Sequence, residues 1–262
     1  DYNEANCGEG FDLADLALTG AQGKLIKAIH ATGKPVILVL VTGKPFSIAW
    51  EKKHIPAILI QWYAGEQEGS SIANILFGKT NPSGHLTVSF PQSSGHLPAY
   101  YNHLPTDRGF YHKPGSYEQP GRDYVFSSPG PLWAFGHGLT YTTFNYTDMQ
   151  IQQSIDSIKV FVTVKNTGRW AGKAVPQLYV RDVFSSISTP VKQLKAFNKV
   201  ALEPGETTRV PLHFAVQDLA LTDEAGKTMV EPGSFEIMIG DASDHILLKQ
   251  TISIGQNMAG GG

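Results

Sequence analysis

Cysteine is nearly absent from the 262 residues: Cys7 stands alone, so no intrachain disulfide and no multi-cysteine zinc site is available. No apolar run approaches the ~18 residues a membrane-spanning helix needs, so no membrane partner is expected. Clustered positive charge is missing too. Lysine and arginine are scattered singly and the formal net charge is -2, which leaves no electrostatic footprint for nucleic acid or anionic lipid. The nine histidines show no ligand spacing such as a pair four apart on a helix, so neither a metal nor a cofactor is expected. An initiator methionine and a charged-then-apolar leader are lacking as well, and the chain reads as a piece of a longer one. What is present, 41% hydrophobic and 17% charged residues, is the composition of folded domains, with length for two.

The patterning changes along the chain. Thr19 and Gln22 form a capping-box pair, and Leu18, Ala21, Leu25, Ile26 and Ile29 follow at helical spacing up to Gly33, predicting a helix over 19–31. Val36 to Val41 and Ala57 to Ile60 are continuous apolar runs, the pattern of strands buried on both faces of a parallel sheet. The residues between them, with Pro45 placed to start a short helix, suffice for a right-handed crossover. Glu66 to Phe77 is expected as a further helix stopped by Gly78, and Leu86 to Phe90 as an optional third strand. Two or three strands make a poor sheet alone, so further strands are expected upstream. From Gly95 to Tyr146 periodicity fails in a long stretch rich in Tyr, Pro, Gly, Phe and His.

Beyond Tyr146 the period becomes two. Ile158, Val160, Val162 and Val164 alternate with Lys159, Phe161, Thr163 and Lys165, and Val210, Leu212 and Phe214 alternate with Arg209, Pro211 and His213. Asn166-Thr167-Gly168, Pro204-Gly205 and Pro232-Gly233 punctuate them, the Pro-Gly pairs suiting turns with positive φ at the glycine. The fold class expected is therefore α/β followed by all-β: a partial α/β sandwich layer with parallel strands, then an immunoglobulin or fibronectin III-like β-sandwich.

Several collinear motifs resemble one family. Gly33-Lys34-Pro35, Trp62-Tyr63-Ala64-Gly65-Glu66-Gln67-Glu68-Gly69, Leu76-Phe77-Gly78 and Asn81-Pro82-Ser83-Gly84-His85-Leu86 look like the second α/β domain of family 3 glycoside hydrolases. Pro131 to Phe144, Val164 to Gly168, Gln177 to Val180, Leu194 to Phe197 and Glu231-Pro232-Gly233 resemble the lead into that family's fibronectin III-like domain and the domain itself. The resemblance divides the chain into 1–95, the C-terminal part of the α/β sandwich domain; 96–145, an aromatic-rich connection; 146–255, the fibronectin III-like domain; and 256–262, a tail. It implies a (β/α)8 barrel ahead of this chain as a partner domain, and a periplasmic or secreted setting.

The implied activity is that of a retaining, exo-acting β-glycosidase removing terminal glucose or xylose from an oligosaccharide or β-glycoside. Such an enzyme needs two carboxyl groups about 5–5.5 Å apart. In the family the nucleophilic Asp lies in the barrel, while the general acid/base is commonly a Glu on a loop of the α/β domain. Gly8-Glu9-Gly10-Phe11-Asp12 resembles that loop and makes Glu9 the candidate acid/base; Leu13 stands where the family often has Arg, and Glu4 is the rival. Without a nucleophile this chain alone is expected to be inactive. Ser243-Asp244-His245 resembles the nucleophile's setting but falls where two strands need a turn, and is read as one. Tyr100, Tyr101, Phe110, Tyr111, Tyr117, Tyr124 and Trp133, with Asp107, Arg108, Arg122 and Asp123, are read as packing groups rather than a sugar-contacting rim, and Trp62 as core. The competing function is a non-catalytic carbohydrate-binding or packing module. A nucleotide-binding domain lacks its glycine fingerprint here.

Overall fold

The computed structural model describes residues 10–105, 118 and 127–255. They fall into two units: 10–80, 88–99, 118 and 127–134 in the first, and 81–87, 100–105 and 135–255 in the second. The stretch expected as one connection is thus shared between the units.

The first unit runs α1 (Gln22–His30), β1 (Ile37–Val41), α2 (Ala49–His54), β2 (Ala57–Gln61) and α3 (Glu68–Leu76). β1 and β2 pair in parallel, in register from Ile37–Ala57 to Val41–Gln61, completing the expected βαβ unit. The expectation that both strands are buried on both faces is not met: Ile37 and Val41, which share one face of β1, are exposed, while Leu40 on the opposite face is buried, so among the described residues only one face is covered. The core is small and includes Ile26, Leu40, Phe46, Ile48, Ile55 and Phe90. α1 starts at Gln22 with Ala21 as its cap and no side-chain cap bond, so the capping box does not form. Gly20 at φ 57° bends the chain there, and Thr19 contributes its carbonyl to the Gln22 N–H instead. Leu86 to Phe90 is not a strand. Phe90 makes one antiparallel bridge, to Trp133.

In the second unit, β3 (Phe144–Gln153), β4 (Ser157–Asn166) and β9 (Thr207–Ala215) form one antiparallel sheet. The other has the order β13-β12-β6-β7, from β6 (Gln177–Asp182), β7 (Gln193–Phe197), β12 (Gly233–Ala242) and β13 (His245–Ile254). The short pairs β5 (Gly172–Ala174) with β8 (Val200–Leu202) and β10 (Leu221–Thr222) with β11 (Thr228–Met229) complete it. The period-two pattern becomes cross-strand contact: Ile158 faces Phe214, Val160 faces Leu212 and Val162 faces Val210, all buried. They share one core with Leu178, Val180, Phe235, Ile237 and Ile239 from the other sheet. Each such buried aliphatic or aromatic side chain stabilises the fold by roughly 1.5–3 kcal/mol.

The two Pro-Gly pairs differ. Gly205 sits at φ 80° in a turn closed from Glu206 N–H to Glu203 O (3.0 Å), as expected. Gly233 has no positive φ and begins β12, opposite Ile254; the nearby reversal is made instead by Asp223 to Gly226, where Gly226 takes φ 80°. Asp223 Oδ1 there accepts from the N–H groups of Ala225 and Lys227, both at 2.9 Å.

Candidate active site

Glu9 and Glu4 lie outside the described residues, so the site is built from the chain that follows them. Gly10 takes φ 78° and Phe11 is exposed. The Phe11 carbonyl accepts a hydrogen bond from Lys44 Nζ at 2.9 Å. Lys44 follows β1 by three residues. Its loop is rigid: buried Thr42 donates its hydroxyl to Lys44 O (2.7 Å) and accepts from Lys44 N–H (3.1 Å), while Thr42 N–H extends the parallel ladder to Gln61 O (3.0 Å).

Further along, Ser47 N–H donates to Leu16 O (2.8 Å), and Leu16 N–H donates to Ser94 Oγ (2.9 Å). Ser94 Oγ in turn donates to Asp15 Oδ1 (3.1 Å), which also takes the Ala17 N–H (3.1 Å). Residues 11–17 are therefore tied to the β1–α2 connection at two points, at the carboxyl end of β1. Such strand ends are where parallel α/β sheets bind ligands. Tyr63, just beyond the end of β2, is exposed at the same end of the sheet. Trp62 packs instead, its ring 6.3 Å from Phe90, which meets Trp133 edge-on at 5.8 Å. Sequence reasoning missed Lys44, because a lone lysine in a polar loop carries no pattern.

Two sequence motifs meet in the second unit. His85 Nδ1 lies 2.6 Å from Gly136 O; a carbonyl only accepts, so Nδ1 carries the proton. Gln177 uses its whole amide: Nε2 donates to Gly136 O (3.0 Å) and Asp241 O (2.7 Å), and Oε1 accepts from Tyr179 Oη (2.5 Å). A Cβ on Gly136, already at φ 82°, would stand 2.1 Å from Gln177 Oε1, and one on Gly138 would stand 2.4 Å from Gly84 O. The glycines of Phe135-Gly136-His137-Gly138 are thus required by the close approach of Ser83-Gly84-His85 and β6.

The matches to known proteins follow this division. The glycosyl hydrolase family 3 C-terminal domain matches residues 2–141, more than half of the chain. The chain belongs to glycosyl hydrolase family 3. A fibronectin type III-like domain matches residues 174–243. A beta-xylosidase of Formosa agariphila is 42% identical over 253 residues, 95% of this chain and 34% of the relative. A periplasmic beta-glucosidase of Salmonella typhimurium is 40% identical over 237 residues, 88% of this chain and 31% of the relative. The crystal structure of a beta-glucosidase from Listeria innocua in complex with glucose superposes with a TM-score of 0.89 at 34% identity, covering 95% of this chain and 35% of the other. The family 3 chain described here therefore spans about a third of the length of its relatives.

The remaining family 3 candidates separate cleanly. Ser243 and Asp244 form the turn between β12 and β13, with Ser243 N–H donating to Phe135 O (2.9 Å) and Ser243 O accepting from Lys192 Nζ (2.5 Å). Burial holds the Lys192 ammonium below the usual lysine range, and the nearby Asp244 carboxylate opposes that shift. Tyr101 stacks on Phe135 with centroids 4.3 Å apart and accepts from Leu194 N–H (3.1 Å), holding 100–105 within the second unit. Asp107, Arg108, Phe110, Tyr111, Tyr117, Arg122, Asp123 and Tyr124 lie outside the described residues.

Proposed function

We propose that this chain forms the acid/base side of a retaining, exo-acting β-glycosidase that removes terminal β-linked glucose or xylose. Glu9 is the general acid/base, with Glu4 as the alternative, and the nucleophilic Asp comes from a barrel elsewhere in the longer protein. In this reading 1–95 belongs to the family's α/β domain and 146–255 to its fibronectin III-like domain. The family match begins at residue 2 and so includes both glutamates, and the relatives' names are β-glucosidase and β-xylosidase. The observation that carries the assignment is the Lys44 bond to the Phe11 carbonyl, two residues beyond Glu9, at the carboxyl end of β1.

Retention follows from two displacements. The acid protonates the departing oxygen as a carboxylate attacks the anomeric carbon; the same residue, now ionised, then takes a proton from the water that releases the sugar. Proton NMR of a β-glucoside digest by the intact protein should show the β-anomer of glucose first. Initial release of the α-anomer, or internal cleavage of a longer oligosaccharide, would overturn the assignment.

Lys44 is a positioning residue in this scheme. Lys44→Met in the intact protein is expected to lower kcat on a disaccharide roughly tenfold with KM little changed, since small misplacements of an acid are costly. The loss should be smaller on an aryl glycoside with a good leaving group. Equal losses on both substrates would assign Lys44 a general structural role instead.

A further inference from the structure

The second unit contains a cleft of about 210 Å³ between the β6–β7 loop and residues 219–222. It is smaller than the roughly 300–1,000 Å³ pockets that hold drug-sized ligands, so it takes one ring rather than an extended chain. We propose that this cleft is a binding site for a single pyranose residue of a glycan, with Asp182, Gln193, Lys195 and Thr189 as its polar contacts.

The cleft is preformed. Asp182 Oδ1 accepts the Phe184 N–H (3.2 Å), and Glu231 Oε2 accepts the Ser186 N–H (2.9 Å). Within the loop, Ser185 Oγ donates to Ile187 O (2.7 Å) and lies 3.1 Å from Thr189 Oγ1. Little conformational freedom is left to lose on binding.

Its hydrogen-bonding capacity is unfilled. Asp182 Oδ2 has no partner among the described residues, and burial pushes this carboxyl above the usual carboxylate range. Among the described residues, Lys195 Nζ uses two of its three donors, on Gln193 Oε1 (2.6 Å) and Asp218 O (2.5 Å), and the Gln193 amide keeps its N–H pair. Ile187 and Leu221 supply apolar wall, with the core residues Val180 and Phe235 buried beneath them.

Acceptors, donors and apolar surface together suit a pyranose, whose hydroxyls both donate and accept and whose ring faces carry C–H groups. The Lys195 ammonium lies near the Asp218 carboxylate and Asp182 lies near the Glu231 carboxylate, so the cleft presents both signs of charge and disfavours an anionic ligand over a neutral, hydroxyl-rich one. A second hollow of about 300 Å³ shares Asp182 and Ile187 to Pro190 and has exposed Phe184 at its rim, where the next sugar of a chain could stack.

The test is methyl-labelled NMR of this chain titrated with cellotriose and with xylotriose. Shifts are expected at Val180, Ile187 and Leu221, with a Kd of about 1 mM. Asp182→Asn, nearly isosteric, should weaken binding about tenfold or more through loss of a charged acceptor, and Gln193→Ala should weaken it several-fold. Ile155→Ser, in the β3–β4 turn, should leave binding unchanged. If no methyl shifts at about 10 mM sugar, or if both cleft variants bind like the parent, the site is wrong. Neither result bears on hydrolysis by the intact protein, which the anomer experiment reads separately.

Discussion

Glu9→Ala in the intact protein is expected to slow turnover of an unactivated disaccharide by about 10²–10⁴-fold, the usual contribution of general acid catalysis. A sugar alkoxide is a poor leaving group and must be protonated as it departs. A nitrophenolate is stable as an anion, so the first displacement on an aryl glycoside should survive far better. The second step then becomes limiting, because water is attacking without a base. Azide is already an anion and needs none, so adding it should restore aryl glycoside turnover and yield a β-glycosyl azide. Glu4→Ala should have the smaller effect. Parallel kinetics of the two variants on disaccharide and aryl substrates decide the matter: near-normal disaccharide hydrolysis by Glu9→Ala, with loss in Glu4→Ala, would move the acid/base to Glu4.

Asn166→Leu is expected to destabilise the second unit by about 3–5 kcal/mol, near the upper end for one substitution. Asn166 is fully buried at the end of β4. Its Oδ1 accepts from Thr142 Oγ1 (2.7 Å) and Gly168 N–H (3.1 Å), and its Nδ2 donates to Trp170 O (2.8 Å) and Leu202 O (3.0 Å). Every donor and acceptor of the amide is therefore in use. Leucine matches the volume but leaves the buried Thr142 hydroxyl and Leu202 carbonyl without their partner, and no rearrangement of an apolar side chain can satisfy them. Thr167→Ala, next door but exposed, removes hydrogen bonds that water replaces and should cost under about 1 kcal/mol. Urea unfolding followed by circular dichroism reads both. A loss below 1 kcal/mol for Asn166→Leu would show that the network is not holding the end of β4.

The alternation from Ile158 to Val164 and from Val210 to Phe214 was legible because a strand's side chains switch faces at every residue whatever surrounds it. The apolar runs of β1 and β2 marked the strands without revealing that one face is exposed, and Gly78 after α3 was legible because only glycine takes its positive φ readily. Asn166 was visible only as a turn residue, since nothing in Asn-Thr-Gly reveals that four distant groups converge on its amide. The capping pair failed for a local reason, the left-handed Gly20, that spacing alone does not expose. Glu9 was named from motif resemblance and Glu4 as its rival five residues earlier, and both fall outside the described residues.

Local pattern was thus enough for the placing of β4 and β9 and for the order of helices and strands in the first unit, because these follow from the alternation of a strand and from the length of apolar runs between turn residues. Which segments belong to which unit, and which side chains hold the loops, were settled by contacts between residues far apart in the chain. Lys44 and Phe11 are 33 residues apart, and His85 and Gly136 are 51 apart. A short motif such as Gly-His-Gly or Asn-Pro-Ser-Gly has no periodicity to read. Its meaning comes from the backbone that approaches it, and only the folded chain brings Gly84 against Gly138 or stacks Tyr101 on Phe135.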